Sequence, residues 1–328
     1  MPAEWAPHDC CWMGWPVHAM WGRDLDRIEA EYTAVAHAIR RFEPLKMLAD
    51  PAVAPRARSR LGGDVEVIEV PMDDAWLRDS GPSFVLGNGA LAAVSWRFNG
   101  WGGANPDFAK DAMLGEFVAG QAGAPVVTSA LAMEGGAIAV DGAGTLLTTD
   151  TVVFNPNRNP GITRAKAEAE FARTLGVSKV IWLPGNRHEF GTDGHVDGIA
   201  CFVREGVLLF EEDLDDAGGL SATSRANLVA LEGQTDAAGR RIEILRMTSA
   251  PAAGAAGKGD WGTSRSYINF YIANGGIVMP SFGLPADDAA RDAVAAAFPG
   301  REVVQVPVPV LATGGGGIHC ITQQQPAV

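Results

Sequence analysis

The chain is poor in several things, and each scarcity removes a class of protein. It carries 26 Lys and Arg against 39 Asp and Glu, a formal net charge of −13. Basic tails and basic stripes are absent, so nucleic acid is not an expected partner, because phosphate binding needs a basic face. No run of about 18 apolar residues occurs, so no membrane span is expected. The opening MPAEWAPHDCCWMGWP has neither the basic segment nor the apolar core of a signal peptide. There are only four cysteines, Cys10, Cys11, Cys201 and Cys320. Two are adjacent, the others are far apart, and no CxxC pair occurs. That is neither a disulfide framework nor a zinc motif. A cytoplasmic protein with reduced thiols is the expectation. No low-complexity block or linker divides the 328 residues, and a single domain over 1–328 is expected.

What is present is a repeat. Four times an apolar run meets a glycine turn and a second apolar run: SFVLGNGALAAVSW from Ser83, AIAVDGAGTLLTTD from Ala137, IACFVREGVLLFEE from Ile199 and INFYIANGGIVMPSF from Ile268. Each reads as a β-hairpin. A helical stretch follows each one, from Pro106, Thr163, Ser221 and Ala286, and then a short strand: APVVTS, SKVIWLP, RRIEILRM and REVVQVPV. The N-terminal segment fits a fifth copy in part, and IHCITQQQ near the C-terminus is expected to pair back with it. Repeats at this spacing favour a closed array. The fold class is therefore α/β, five ββαβ units closed into a ring; an open doubly wound sheet is the alternative.

An unusual polar stretch precedes each hairpin: WLRDSGP, MEGG, TDGHVDG and TSRSY, with GGGGIHC in the last copy. Arranged around an axis, these stretches bring Asp79, Glu134, His195, Asp197 and Cys320 to one pocket. Taken alone, each has a plain structural reading: a turn ion pair for Arg78–Asp79, a solvated turn residue for Glu134, a small buried hydrophobe for Cys320. In register with a repeat they form a candidate site. On a strand His195 and Asp197 share a face, whereas His319 faces away from Cys320 and reads as structural. Cys10, Cys11 and Cys201 read as core. Trp76 and Trp101 sit beside polar glycine-rich loops and suit an aromatic wall for a planar cation. A thiol, an imidazole and three acids exceed what a cysteine protease needs. The surplus acceptors suit a guanidinium, whose donors form a fixed fork.

MPAEWAPHDCCWMGWP, DDAWLRDSGP, WRFNGWGG, EGGAIAVDGAGTLLTTD, NPNRNPG, TDGHVDG, SYINFYIANGGIVMP and GGGGIHCITQQQP together resemble the agmatine deiminases of the guanidine-modifying (pentein) superfamily, over essentially the whole length. The resemblance implies a five-bladed α/β propeller and a covalent deiminase with no metal or organic cofactor. It implies Cys320 as nucleophile, His195 as acid and base, Asp79 and Asp197 on the guanidinium, and Glu134 as a further acid. Trp76, Arg78, Trp101 and Gly191 are the candidate substrate-binding residues. The partner is a small cationic guanidine, and homo-oligomerisation is left open. One departure stands out. The family's usual acidic pair before TDGH is Phe190 and Gly191 here, and HVDN is HVDG, with Gly198. Agmatine remains the first choice of substrate. A distal pocket open to another tail, such as a carboxylate, is the variant expectation, with Glu189 one residue from the altered pair. An amidinotransferase and a non-catalytic guanidine-binding module are the remaining alternatives.

Overall fold

The computed structural model describes residues 1–17, 21–187, 189, 191–214, 220–251 and 262–328. In chain order the elements are β1 (His8–Gly14), α1 (Leu25–Arg40), β2 (Leu45–Ala49), α2 (Ala54–Leu61), β3 (Glu66–Glu69), β4 (Ser83–Gly87), β5 (Ala90–Ser95), α3 (Leu114–Gln121) and β6 (Val126–Thr128). They continue with β7 (Ala139–Val140), β8 (Thr145–Thr149), α4 (Arg164–Leu175), β9 (Lys179–Leu183), β10 (Ala200–Arg204), β11 (Val207–Glu212), α5 (Leu220–Leu231) and β12 (Glu243–Thr248). The last repeat is β13 (Tyr271–Ala273), β14 (Gly276–Ser281), α6 (Asp287–Ala297) and β15 (Glu302–Pro307), and β16 (Thr322–Pro326) follows.

These strands form five small sheets. In four of them an antiparallel hairpin is joined, through a helix, to a parallel third strand: β4-β5-β6, β7-β8-β9, β10-β11-β12 and β13-β14-β15. The fifth is made from both ends of the chain. β16 lies antiparallel to β1, β1 parallel to β2, and a further parallel strand, β3, extends the edge. The expected return of the C-terminal strand is thus present. It is fastened by Trp12 Nε1, which donates to Gln325 Oε1 at 3.0 Å, and by Gln325 Nε2, which donates to Asp9. The uncharged run Gln323–Gln325 is buried at this seam.

Five apolar clusters explain why the sheets form a ring. Each cluster lies between two successive sheets. Trp12 and Leu48 meet Phe84 and Leu114, and Val94 and Trp96 meet Ile138 and Phe171. Leu147 and Ile181 meet Phe202 and Phe210, and Val207 and Leu209 meet Ile277 and Val294. The fifth cluster joins Tyr271 and Val278 of the last repeat to Met13 and Ile28 of the first. Every blade therefore buries one face on each neighbour, at roughly 1.5–3 kcal/mol per fully buried large side chain, and no blade is terminal.

Local signals act as expected at several joints. Asn88 and Gly89 have φ of 52° and 72° and close the first hairpin as a left-handed two-residue turn. The Thr163 hydroxyl accepts from Lys166 N and caps α4. One expectation is corrected: the helix anticipated from Pro106 starts only at Leu114, after a tight turn at Asp111–Met113. The preceding residues are held instead by Asp73 Oδ2, which accepts from Lys110 N at 2.8 Å.

Candidate active site

Each candidate residue sits a few positions ahead of the innermost strand of its own blade. Asp79 precedes β4, Glu134 precedes β7, and His195 and Asp197 precede β10; Asn269 precedes β13 and Cys320 precedes β16. Equivalent positions in a ring meet at one end of its axis. The meeting point is marked by Gly136. A Cβ there would lie 2.6 Å from His195 Nδ1, 2.8 Å from Asp79 Oδ1 and 2.9 Å from Asp197 Oδ2. Only glycine leaves room for three functional groups around one backbone atom.

The thiol of Cys320 lies 3.6 Å from Asp197 Oδ2 and accepts from Asn269 Nδ2 at 3.3 Å. Burial, and then the charges of Asp197 and Asp79, hold it well above the ordinary thiol value, so at rest it is protonated. His195 points Nε2 at Glu134 Oε2, 3.4 Å away, while Nδ1 makes no hydrogen bond and faces Asp79 Oδ1 at 3.7 Å. Burial pulls its pKa down, but Asp79 and Glu134 outweigh this and carry it up to about 9. The resting pair is therefore a thiol and an imidazolium.

The acids are fixed from behind. Asp79 accepts from Gly136 N and Trp101 Nε1, both at 2.9 Å. Burial, reinforced by Asp197 and Glu134, raises its pKa against the pull of His195. Glu134 accepts from Arg158 Nε at 2.8 and 3.0 Å; burial pushes it up, and Arg158 with His195 bring it below the usual carboxylate range. Asp197 receives His319 Nδ1 at 2.9 Å; burial raises it, and His319 lowers it on balance.

The glycine run has a packing role. A Cβ at Gly316 would come within 2.5 Å of the Trp76 ring, one at Gly314 within 2.6 Å of Trp21, and one at Gly317 within 2.6 Å of Asn269 Oδ1. Without side chains the run lies flat on two indoles and brings Cys320 onto Asn269. Trp76 is accordingly packed beneath this segment. Trp101 adopts φ 54° and ψ 51°, a left-handed conformation costing roughly 1–2 kcal/mol in a non-glycine residue, while its indole holds Asp79.

Some sequence expectations are corrected. Arg78 was expected near substrate. It is buried, with Nη1 3.5 Å from Glu4 and Nε donating to the His319 carbonyl at 3.4 Å. His319 was expected to face away from Cys320. Residues 319 and 320 lie in a turn ahead of β16, so strand alternation does not apply, and His319 Nδ1 and the Cys320 thiol approach the same Asp197 oxygen. His195 likewise caps a tight turn at Val196–Gly198 that contains Asp197, and neither is on a strand. Gly191 is buried with φ 100°; Phe190 lies outside the described residues. Two functional neighbours escaped sequence reasoning. Arg158 was visible in NPNRNPG but had no assigned partner. Asn269 is the polar residue of SYINFY ahead of the innermost strand, where TSRSY had seemed the equivalent stretch.

A cleft of about 320 Å³ opens from Cys320, His195 and Asp197. Its outer wall carries Glu189, Glu211, Asp213 and Arg265. Among the described residues no group of three or more His, Cys, Asp or Glu is arranged to hold a metal ion, and no described helix is long and apolar enough to cross a membrane.

A ring of five ββαβ blades with a thiol, an imidazole and carboxylates at one end defines the guanidine-modifying α/β class. Comparison with known proteins agrees and is more specific. The model of the Porphyromonas-type peptidyl-arginine deiminase family matches residues 1–326, and the chain belongs to that family. The agmatine deiminases of Pseudomonas fluorescens and Pseudomonas aeruginosa are each 40% identical to it, over 100% of this chain and 95% of theirs. The structure of the agmatine deiminase of Enterococcus faecalis superposes with a TM-score of 0.93 at 30% identity, over 99% of this chain and 95% of that one.

Proposed function

We propose that the chain hydrolyses agmatine to N-carbamoylputrescine and ammonia through a covalent intermediate on Cys320. The observation that carries this is the convergence around Gly136. The Cys320 thiol, the His195 imidazolium and the Asp197 carboxylate line the cleft, the Asp79 carboxylate stands beside His195, and the four come from three blades.

In this reading Asp79 and Asp197 grip the guanidinium N–H groups. The bound cation offsets the negative charge that holds the thiol up, and the thiol gives its proton to water in the cleft. The thiolate attacks the central carbon. His195, charged at neutral pH, protonates the departing nitrogen, and ammonia leaves an amidino-thioether. Neutral His195 then takes a proton from water. The resulting hydroxide adds to the same carbon, and the C–S bond breaks to return the thiolate. The ureido product forms as the hydroxyl proton passes to solvent with the ammonia. Glu134, neutralised by Arg158, keeps the ring oriented.

The outer wall supports an amine tail. Among the described residues there, Glu189 and Asp213 stand against Arg265, and the chain's net charge is negative too. Glu189 stands close to where the usual acidic pair is missing, and this favours agmatine over guanidines with a carboxylate tail. Ureido-product detection across agmatine, arginine and guanidino acids, with Cys320→Ala as control, tests the reading. Agmatine is expected to have the highest kcat/KM and the control to lose at least about 10⁴-fold. Faster turnover of a guanidino acid overturns the substrate; undiminished turnover by the control overturns the mechanism.

A further inference from the structure

The N-terminal MPAEW segment precedes every blade, and the reaction proposed above does not use it. It nevertheless runs against several blades. The Met1 ammonium donates to the Leu175 carbonyl, Ala3 abuts Gly142, and Arg301 Nη2 donates to the Trp5 carbonyl at 2.9 Å. Between these anchors Glu4 is delivered to His319. Its Oε1 and Oε2 lie 3.1 and 3.2 Å from His319 Nε2, and the other ring nitrogen, Nδ1, is 2.9 Å from Asp197 Oδ2. Asp197 thus borders two spaces. One is the cleft. The other is a small cavity of about 20 Å³ on the opposite side, walled by Glu4, His319 and apolar groups such as Ile138 and Phe270.

Both nitrogens of the His319 ring face carboxylates, and an ionised carboxylate only accepts. Both must donate, so the ring is an imidazolium by geometry. We propose that Glu4 and His319 are positioning residues of the active site. Glu4 keeps His319 charged and turned onto Asp197, and the imidazolium both orients that carboxylate and limits its electrostatic push on the Cys320 thiol. This rests on the reading of Asp197 as a guanidinium-gripping acid beside the nucleophile.

The charged groups around the pair fit this arrangement. On the ring's side, burial and Arg78 oppose protonation, Glu4 and Asp197 favour it, and the balance is upward. On Glu4's side, burial raises its pKa, and His319, Arg78 and His8 bring it down to about 2. The remaining neighbours are His195 on Asp197 and the partly buried Cys201 thiol on Glu4. Loss of the Glu4 charge leaves Arg78 unopposed beside the ring. His319 then gives up its proton at lower pH than in the parent, Asp197 loses its compensating charge there, and the thiol becomes harder to ionise. The effect falls on kcat more than on KM.

Kinetics of E4Q, E4D, H319N and the E4Q/H319N double variant on agmatine, with the Tm of each, test the proposal. E4Q is expected to lower kcat by about tenfold with KM changed less than about threefold, the loss deepening as pH rises past the ordinary imidazole value of about 6.5. E4D keeps the charge and restores the shape of the parent profile. In the H319N background E4Q costs less than about twofold, because its effect passes through the ring. An E4Q profile parallel to the parent's, or an equal cost in both backgrounds, overturns the proposal. The imidazole ¹⁵N shifts of His319, assigned by their loss in H319N, read the same pair without turnover. At a pH just above the ordinary imidazole value of about 6.5, a charged ring in the parent and a neutral one in E4Q are expected; a neutral ring in the parent overturns the proposal, also if E4Q does not fold. A parent inactive on agmatine with a charged ring overturns the substrate reading alone.

Discussion

The two ends of the cleft are built differently. At the closed end, Asp79, Glu134, His195, Asp197 and Cys320 are all buried, and each has a second partner: Trp101, Arg158, Glu134, His319 and Asn269 in turn. At the open end, Glu189, Asp213 and Arg265 are half-buried and lie on loops. There Glu189 accepts from the Thr192 hydroxyl, while Glu211, pushed up to about 7 mainly by burial, spends its oxygens on Ser266 Oγ and the backbone N–H groups of Tyr267 and Ile268. Charge in a buried site acts strongly and directionally. Charge on a wet rim is screened. The chemistry should therefore be brittle to single substitutions and the tail recognition tolerant of them.

The largest effect should come from His195→Ala at the closed end: a loss of about 10²–10⁴-fold in kcat, read in the ureido assay. A loss under about tenfold breaks the contrast between the ends. Next is Arg158→Met. It takes the guanidinium from the fully buried Glu134 and leaves only His195, 3.4 Å away, to offset its charge, and urea unfolding should show a loss of roughly 3 kcal/mol. A midpoint matching the parent's means that Glu134 has found another partner.

The pH dependence follows from His195. Its folded pKa, about 9, lies above the ordinary imidazole value of 6.5. Its contribution to stability is thus complete below about pH 6.5 and lost as pH rises through about 9. The kcat/KM of the parent should fall over that upper limb, as the acid needed for ammonia departure is lost. A limb near 7, in a protein whose Tm holds steady to pH 9, detaches the carboxylates from His195.

A smaller shift should be seen in the thiol. Its alkylation rate against pH, with and without an unreactive alkylamidinium, should give an apparent pKa lower by about one unit or more when the cation is bound. Identical profiles remove the substrate-assisted ionisation. Smallest is Glu189→Gln at the open end. It should raise KM for agmatine about five- to tenfold and leave kcat within about twofold. A larger fall in kcat than rise in KM makes the rim part of the chemistry and erases the comparison.

Much of this is legible in the sequence. Hairpins such as that at Asn88–Gly89 rest on local backbone preference, and the repeat placed Asp79, Glu134, His195, Asp197 and Cys320 in register. A local rule holds only inside its own element. Alternation along a strand was applied to His195–Asp197 and to His319–Cys320, yet both pairs lie in turns. For the first pair the outcome was the expected meeting of side chains, for the second the opposite of the expectation. Arg78 is adjacent to Asp79 in the chain and turns away from the cleft, because Glu4, 74 positions earlier, is the half-buried acid that takes its charge.

The sequence by itself determined the units: which runs are strands, where the chain turns, and which chemistry-bearing residues recur at the head of each blade. Those are consequences of hydrophobic period and backbone preference, which act over a few residues. Only the closed ring decided who stands behind whom. Arg158 behind Glu134, Asn269 beneath Cys320, and Glu4 and His319 behind Asp197 are contacts between segments far apart in the chain. They exist because five mutually buried interfaces bring the heads of the blades together in a space too dry to leave any charge unpaired.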